Sequence, residues 1–201
     1  MFALVESGSI TKMLNGNKGI QIGDLKYPRA IYTLWTEAER NAIGIYTVEY
    51  DDSNKKDEKW YINTNQSFAF ADNKVTASYG SATAKAHADT LYTQEDEDNG
   101  LGTKDDVKVE GLKTRLIRTV KAQAAGELNR TDWYITRKAE KNTAIPSAIT
   151  THRDAVRSKQ ASMCTAITNA SDTPALETLY TFTKQDDGTV TRPLGELPTL
   201  E

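Results

Sequence analysis

The sequence predicts an α+β protein: a small antiparallel β-rich N-terminal domain over 1–80, a helix and acidic connector over 81–110, a C-terminal bundle of three to four helices over 111–182, and an extended tail over 183–201. Three observations predict it. Aromatic and β-branched residues in the first 80 positions come in short runs cut by turn signals, a composition that suits pleated sheet. From Leu112 onward apolar residues recur at helical spacing. Between these regions the stretch 89–110 sets eight acidic residues against Lys104 and Lys108.

Composition narrows the class further. At 38% hydrophobic and 26% charged residues the chain is polar, yet apolar enough to bury a core, which excludes a disordered tail. Its longest apolar runs, such as Phe68-Ala69-Phe70-Ala71, fall far short of the ~20 residues of a membrane helix. No charged-then-apolar leader follows Met1, so neither membrane insertion nor export is expected. A single cysteine, Cys164, forms no intramolecular disulfide, and with only His87 and His152 beside it little is left for a metal site.

In the N-terminal domain, strands over 2–5 and 10–14 flank the turn Glu6-Ser7-Gly8-Ser9, and Asn15-Gly16 and Lys18-Gly19 break the chain directly afterwards. Thr36-Glu37-Ala38-Glu39 has the form of a capping box, a hydroxyl at the N-cap and a carboxylate three positions on, and Gly44 ends that short helix before a strand over 45–50. Strands over 59–63, 67–71 and 74–79 complete a meander, the last two joined by Asp72-Asn73, residues that tolerate positive φ.

Past Gly80, Ala82, Ala84, Ala86 and Ala88 in a run without Gly or Pro predict a helix over 81–92. The acidic stretch 89–110, interrupted by Gly100 and Gly102, reads as a solvated connector. Leu112, Leu116, Val120, Ala124 and Leu128, widened by Ile117, form the clearest apolar stripe and predict a helix that buries one face. Asn129 or Thr131 can cap a shorter helix ending near Lys141. Pro146 suits the first turn of a long helix whose apolar face holds Ile149, Ala155, Val156, Met163, Cys164 and Ile167, and Thr173-Pro174 opens a last short helix through Tyr180. Asp187-Gly188, Pro193, Gly195 and Pro198 make 183–201 a hairpin or extended tail outside the core.

The candidate chemistry is thin. Glu95 to Asp106 has the length of an EF-hand loop, but Glu95 stands where Asp is needed, Asp106 where a bidentate Glu is needed, and Gly102 where a β-branched residue is needed. Residues 112–160 carry eleven Lys or Arg against Glu127, Asp132, Glu140 and Asp154, a basic surface suited to nucleic acid or to an acidic partner. The chain as a whole is −3 and no Gly-rich, RNP-like or zinc pattern accompanies the basic residues, so a solvated helix face that could also meet the acidic connector or an acidic partner is preferred to nucleic-acid binding. No nucleophile elbow surrounds a serine, Cys164 lies at core spacing from Ile167, and His87 and His152 lack a second histidine four residues away. No catalytic, cofactor-binding or metal-binding residue is assigned. The aromatics Tyr27, Tyr32, Trp35, Tyr46, Tyr50, Trp60 and Tyr61 read as core first and interface second.

The stretch Thr131-Asp132-Trp133-Tyr134-Ile135-Thr136-Arg137-Lys138-Ala139-Glu140, followed by Ile145-Pro146-Ser147 and Arg153-Asp154-Ala155-Val156-Arg157, resembles a pattern of tail-region proteins of tailed bacteriophages. The opening Met1-Phe2-Ala3-Leu4-Val5, the segment Tyr27-Pro28-Arg29 with Leu34-Trp35-Thr36-Glu37-Ala38-Glu39, and Gly44-Ile45 look like the N-terminal part of the same proteins. Thr191-Arg192-Pro193-Leu194-Gly195-Glu196-Leu197-Pro198 is similar to marine-phage members. The resemblance implies a non-enzymatic virion component at the tail tip, baseplate or fibre attachment, or an assembly chaperone for tail or fibre. Its partners would be other tail proteins and copies of itself in a symmetric assembly, without nucleic acid or membrane insertion, and its place the virion, with the host cytoplasm during assembly. A phage glycan hydrolase is the enzymatic alternative, and it requires two carboxylates across a cleft. Read physically, Thr131 caps, Trp133 packs on the Leu128 helix, Pro146 starts the long helix, and Arg153 and Arg157 share a helix face. Tyr134, Arg137, Arg153 and Arg157 are the expected exposed partner contacts.

Overall fold

The computed structural model describes residues 1–200, a mixed α+β chain in two compact units, Met1–Thr83 and a second from Ala84 onward. In the first unit β1 (Phe2–Glu6) and β2 (Ser9–Leu14) form the expected hairpin. Ser7 and Gly8 both take positive φ, 51° and 77°, the two-residue turn whose twist matches that of its strands. A second hairpin, β3 (Ile20–Ile22) with β4 (Leu25–Tyr27), was not anticipated, although Gly23-Asp24 between alternating apolar residues is a hairpin signal. Two short helices follow, α1 (Ile31–Leu34) and α2 (Glu37–Ala42). The capping box of α2 is formed: Glu39 N–H donates to Thr36 Oγ1 at 3.3 Å and Thr36 N–H donates to Glu39 Oε2 at 2.7 Å.

β5 (Ile45–Asp51) lies antiparallel to β1, with Leu4 opposite Ile45. The two-residue strand β6 (Tyr61–Ile62) is followed by β7 (Ser67–Ala71) and β8 (Lys74–Ser78), joined through Asp72 and Asn73 at φ 50° and 59°. The five-stranded sheet runs β2-β1-β5-β8-β7. It is not the antiparallel meander predicted: β8 pairs parallel to β5, with Val48 opposite Val75. The reason is burial. Val75 and Ala77 on β8 are fully buried while β7 is largely exposed, so β8 takes the inner place of the hairpin, although Phe68 and Phe70 make β7 the more apolar strand, and β8 thereby runs parallel to β5.

Both sheet faces are covered. Ala3, Val5, Val48, Val75 and Ala77 form one apolar cluster, and Leu4, Leu14, Ile20, Ile31, Tyr32 and Ile45 form the other, so β1 sends alternate residues to two cores.

The second unit departs from expectation at its start. Residues 81–92 are not helical. The two-residue strand β9 (Thr83–Ala84) spans the unit boundary, and β10 (Thr90–Leu91), α3 (Gln94–Asp98) and β11 (Val107–Val109) follow, with β10 and β11 paired antiparallel. The Ala86 and His87 carbonyls accept the Leu112 and Lys113 N–H groups at 2.9 and 3.0 Å. Asp89 accepts the Gly111 N–H at 2.6 Å and the Thr114 hydroxyl at 2.7 Å. A helix needs partners for its first N–H groups, and these bonds outweigh the small propensity of four alanines. Gly111 permits the approach, since a side chain there would overlap the Ala88 carbonyl. The connector is therefore folded.

Four longer helices follow: α4 (Leu112–Asn129), α5 (Asp132–Lys141), α6 (Ser147–Asn169) and α7 (Thr173–Tyr180). α4 buries Leu112, Leu116, Val120 and Ala124, and packs against α6, which buries Ile149, Val156, Met163 and Ile167. Ala155 is exposed and Cys164 half-buried, because the helix turns a stripe of smaller width inward than predicted. Asp172 caps α7, accepting the Ala175 N–H at 2.8 Å.

The C-terminal stretch begins as the expected hairpin, β12 (Thr183–Lys184) with β13 (Val190–Thr191), but is not peripheral afterwards. Leu194 is buried, its N–H donates to the Leu179 carbonyl at 3.0 Å, and the Leu200 N–H donates to Glu127 Oε1 at 3.2 Å. One apolar side chain between Pro193 and Gly195 suffices to bring the tail back onto the helices. No helix among the described residues is long and apolar enough to cross a membrane.

Ile45 is fully buried in the first unit. Ile45→Ala is expected to lower stability by about 2–5 kcal/mol in urea unfolding.

Candidate protein-interaction surface

The motif around Trp133 begins at the turn between α4 and α5, and a buried arginine holds that turn. Arg153 reaches from α6 and its Nη1 donates to the Leu128 carbonyl at 2.8 Å, to Thr131 Oγ1 at 2.7 Å and to Asp132 Oδ1 at 2.8 Å. Thr131 stands at the N-cap of α5, but its hydroxyl donates to the Leu128 carbonyl at 3.0 Å and makes no capping bond to an α5 amide. The expected capping role of Thr131 is thus replaced by a cross-brace. Arg153, expected as an exposed partner contact, is 7% exposed and internal. Arg157, one turn on, is exposed and pairs with Asp154 at 3.2 Å. The two arginines share a spacing but divide into one inward and one outward side chain.

Beside the brace, Glu127 lies 3.2 Å from His152 Nε2, without hydrogen-bond geometry, and accepts from Arg130 at 3.1 Å and from the Leu200 amide. Burial pushes the Glu127 carboxyl up. Arg130, Leu200 and the neighbouring His152 outweigh it and leave the group below its ordinary value.

Held at its first turn, α5 buries none of its residues. Trp133, expected to pack on α4, is instead 51% exposed. Successive helix positions lie about 100° apart, so Trp133, Tyr134 and Ile135 cannot all face one neighbour. The Trp133 and Tyr134 rings lie 3.8 Å apart at 32°, and the Arg137 guanidinium stands 4.7 Å from the indole and 5.3 Å from the phenol. Arg137 Nε is out of contact with solvent and has no hydrogen-bond acceptor. Tyr134 and Arg137, two of the four predicted contacts, therefore meet in one aromatic and cationic cluster, joined by Trp133. Ile135, about 200° round the helix from Trp133, is 42% exposed. A Trp-Tyr pair on one helix was the available sign that one ring must leave the core.

A second surface, missed in the sequence, is formed by α3 and the β10–β11 hairpin. Thr93 and Asp96 make a capping box at the start of α3. The Lys108 ammonium, 2.6 Å from Asp96 Oδ1, and the Thr93 amide hold the Asp96 carboxyl at about 2. Glu95, Glu97 and Asp98 are exposed and carry no ion pair among the described residues, and Leu101, Val107 and Val109 are exposed beside them.

In the first unit a cavity of about 360 Å³ is lined by Lys12, Asn15, Lys18, Gln21 and Tyr32, among others. Burial pushes the Tyr32 hydroxyl up. No group of three or more His, Cys, Asp or Glu among the described residues is placed to hold a metal ion.

Comparison of the chain with protein-family models, with curated proteins and with solved structures finds no match.

Arg153→Leu removes the donor to the buried Thr131 hydroxyl oxygen and to Asp132 and is expected to cost about 1–3 kcal/mol in urea unfolding, whereas Trp133→Ala, at an exposed ring, should stay within about 0.5 kcal/mol. Since the folded value of Asp96 lies below its ordinary one, its stabilising contribution is complete above the normal carboxylate range and disappears as pH falls through about 2. Carboxyl resonances followed by NMR should show Asp96 titrating last among the acidic residues of α3.

Proposed function

We propose that this chain is a structural virion protein of a tailed bacteriophage, placed at the tail tip, baseplate or fibre attachment and acting through protein–protein contacts. The observation that carries the reading is the exposed Trp133 ring, stacked with the half-buried Tyr134 and Arg137. These residues belong to the motif on which the resemblance to tail-region proteins rests. Trp, Tyr and Arg are the side chains that most often dominate a protein interface once water is excluded around them. An exposed indole favours burial by a partner.

In this reading the N-terminal β-rich domain docks on the tail or a neighbouring subunit, and the C-terminal helical bundle presents α5 for assembly. Mass spectrometry of purified particles, compared with the soluble lysate of the same infection, tests it. Stoichiometric copies in the particle are expected. Confinement to the lysate would reassign the chain to a tail or fibre assembly chaperone.

A further inference from the structure

We propose that the aromatic, basic face of α5 is covered by α3 and the β10–β11 hairpin of a second copy of this chain, docked head to tail. The proposal rests on reading α5 as an assembly contact and adds its occupant.

The argument is complementarity of two surfaces carried by one unit. On α5 the Trp133 ring is exposed, and Arg137, Lys138 and Lys141, which follow it round one side of the helix, make no ion pair among the described residues. Asp132 pairs with Arg153, Glu127 with Arg130 and Asp154 with Arg157, which leaves Glu140 as the acidic residue of α5 without an ion pair among the described residues, against three such basic residues. The other surface has the opposite charge and the same apolar character. Residues 94–109 hold six acidic residues against two lysines, and one of those lysines is bound to Asp96. Glu95, Glu97 and Asp98 make no ion pair among the described residues, and Leu101, whose N–H donates to the Asp96 carbonyl, stands next to them at 60% exposure. Apolar side chains on both surfaces provide area to bury, and opposite charges around them set the register.

Both surfaces are open in one copy, so neither covers the other within it. Two copies related by a two-fold axis through either surface would place like charges together, which disfavours that pairing. Docking the basic surface of one copy on the acidic surface of the next is heterologous, and it repeats until a ring closes or a filament grows. The predicted symmetric assembly is met by a ring.

The test is sedimentation velocity on the full chain at low and high salt, with two charge-reversed variants, R137E/K138E and E95K/E97K. The wild type should form species larger than a dimer at low salt and lose them at high salt, because the rim contacts are screened. Each variant alone should sediment as a monomer. An equimolar mixture of the two should assemble again, since each reversed surface meets its reversed complement, and this recovery also shows that both variants are folded. Trp133→Ala should weaken assembly at least tenfold.

A wild-type chain that stays monomeric at every salt concentration would overturn the proposal, as would variants that assemble like the wild type or a mixture that does not recover. If R137E/K138E abolishes incorporation into particles but leaves self-association intact, the second copy is the wrong occupant and α5 faces another tail protein. If self-association follows the charge pattern in a chain absent from particles, the head-to-tail contact stands and the tail placement falls.

Discussion

A guanidinium taken out of water must find acceptors for its N–H groups, and Arg153 finds three of them at one turn of chain. The Leu128 carbonyl is one of the orphan acceptors at the end of α4, Thr131 is the residue before α5, and Asp132 begins it. One side chain from α6 thus joins the end of one helix to the start of the next. Without it the α4 terminus and the Thr131 hydroxyl would compete for the same few partners. With it the first turn of α5 is tied to the packed α4–α6 pair, while no residue of α5 is buried. The open aromatic and cationic cluster is a consequence of that geometry.

The opposite end of α4 is fixed by a related device. Its first amides are received by the Ala86 and His87 carbonyls and by Asp89, all from a segment more than twenty residues earlier. The absent side chain of Gly111 lets the two backbones meet. Because the segment before the acidic stretch is tied there, and Glu110 after it pairs with Arg118 at 2.6 Å, residues between them close into a hairpin with a helical turn at its tip. The charge on that tip stays outside, where, among the described residues, only Asp96 has a cationic partner. A bipolar helical unit results, with acid gathered at one place in the chain and base at another.

In the first unit the controlling constraint is burial of β1 on both sides. Leu4 and its neighbours Ala3 and Val5 enter different cores, so every strand beside β1 must supply an apolar residue to each face. β5 does so with Ile45 and Val48, and β8 continues one of the faces with Val75 and Ala77. β7 alternates less deeply and closes the edge. Strand direction is secondary to that demand, since a parallel ladder costs little when both partners are buried.

What the sequence by itself determined are the features set within a few residues: the Ser7–Gly8 and Asp72–Asn73 turns, the Thr36 capping box, the apolar stripe of α4, the starts of α6 and α7. Each depends on torsions and hydrogen bonds between near neighbours, which residue types report directly. Only the tertiary structure decided that β8 lies parallel to β5, that an alanine-rich run receives α4 instead of forming a helix, that Leu194 returns to the core, and that Arg153 turns inward while Trp133 turns out. In these cases the local preference is small, a fraction of a kcal/mol per residue, and the deciding partner lies far along the chain. A buried donor or acceptor left without that partner costs several times more, so the distant contact overrules the local one.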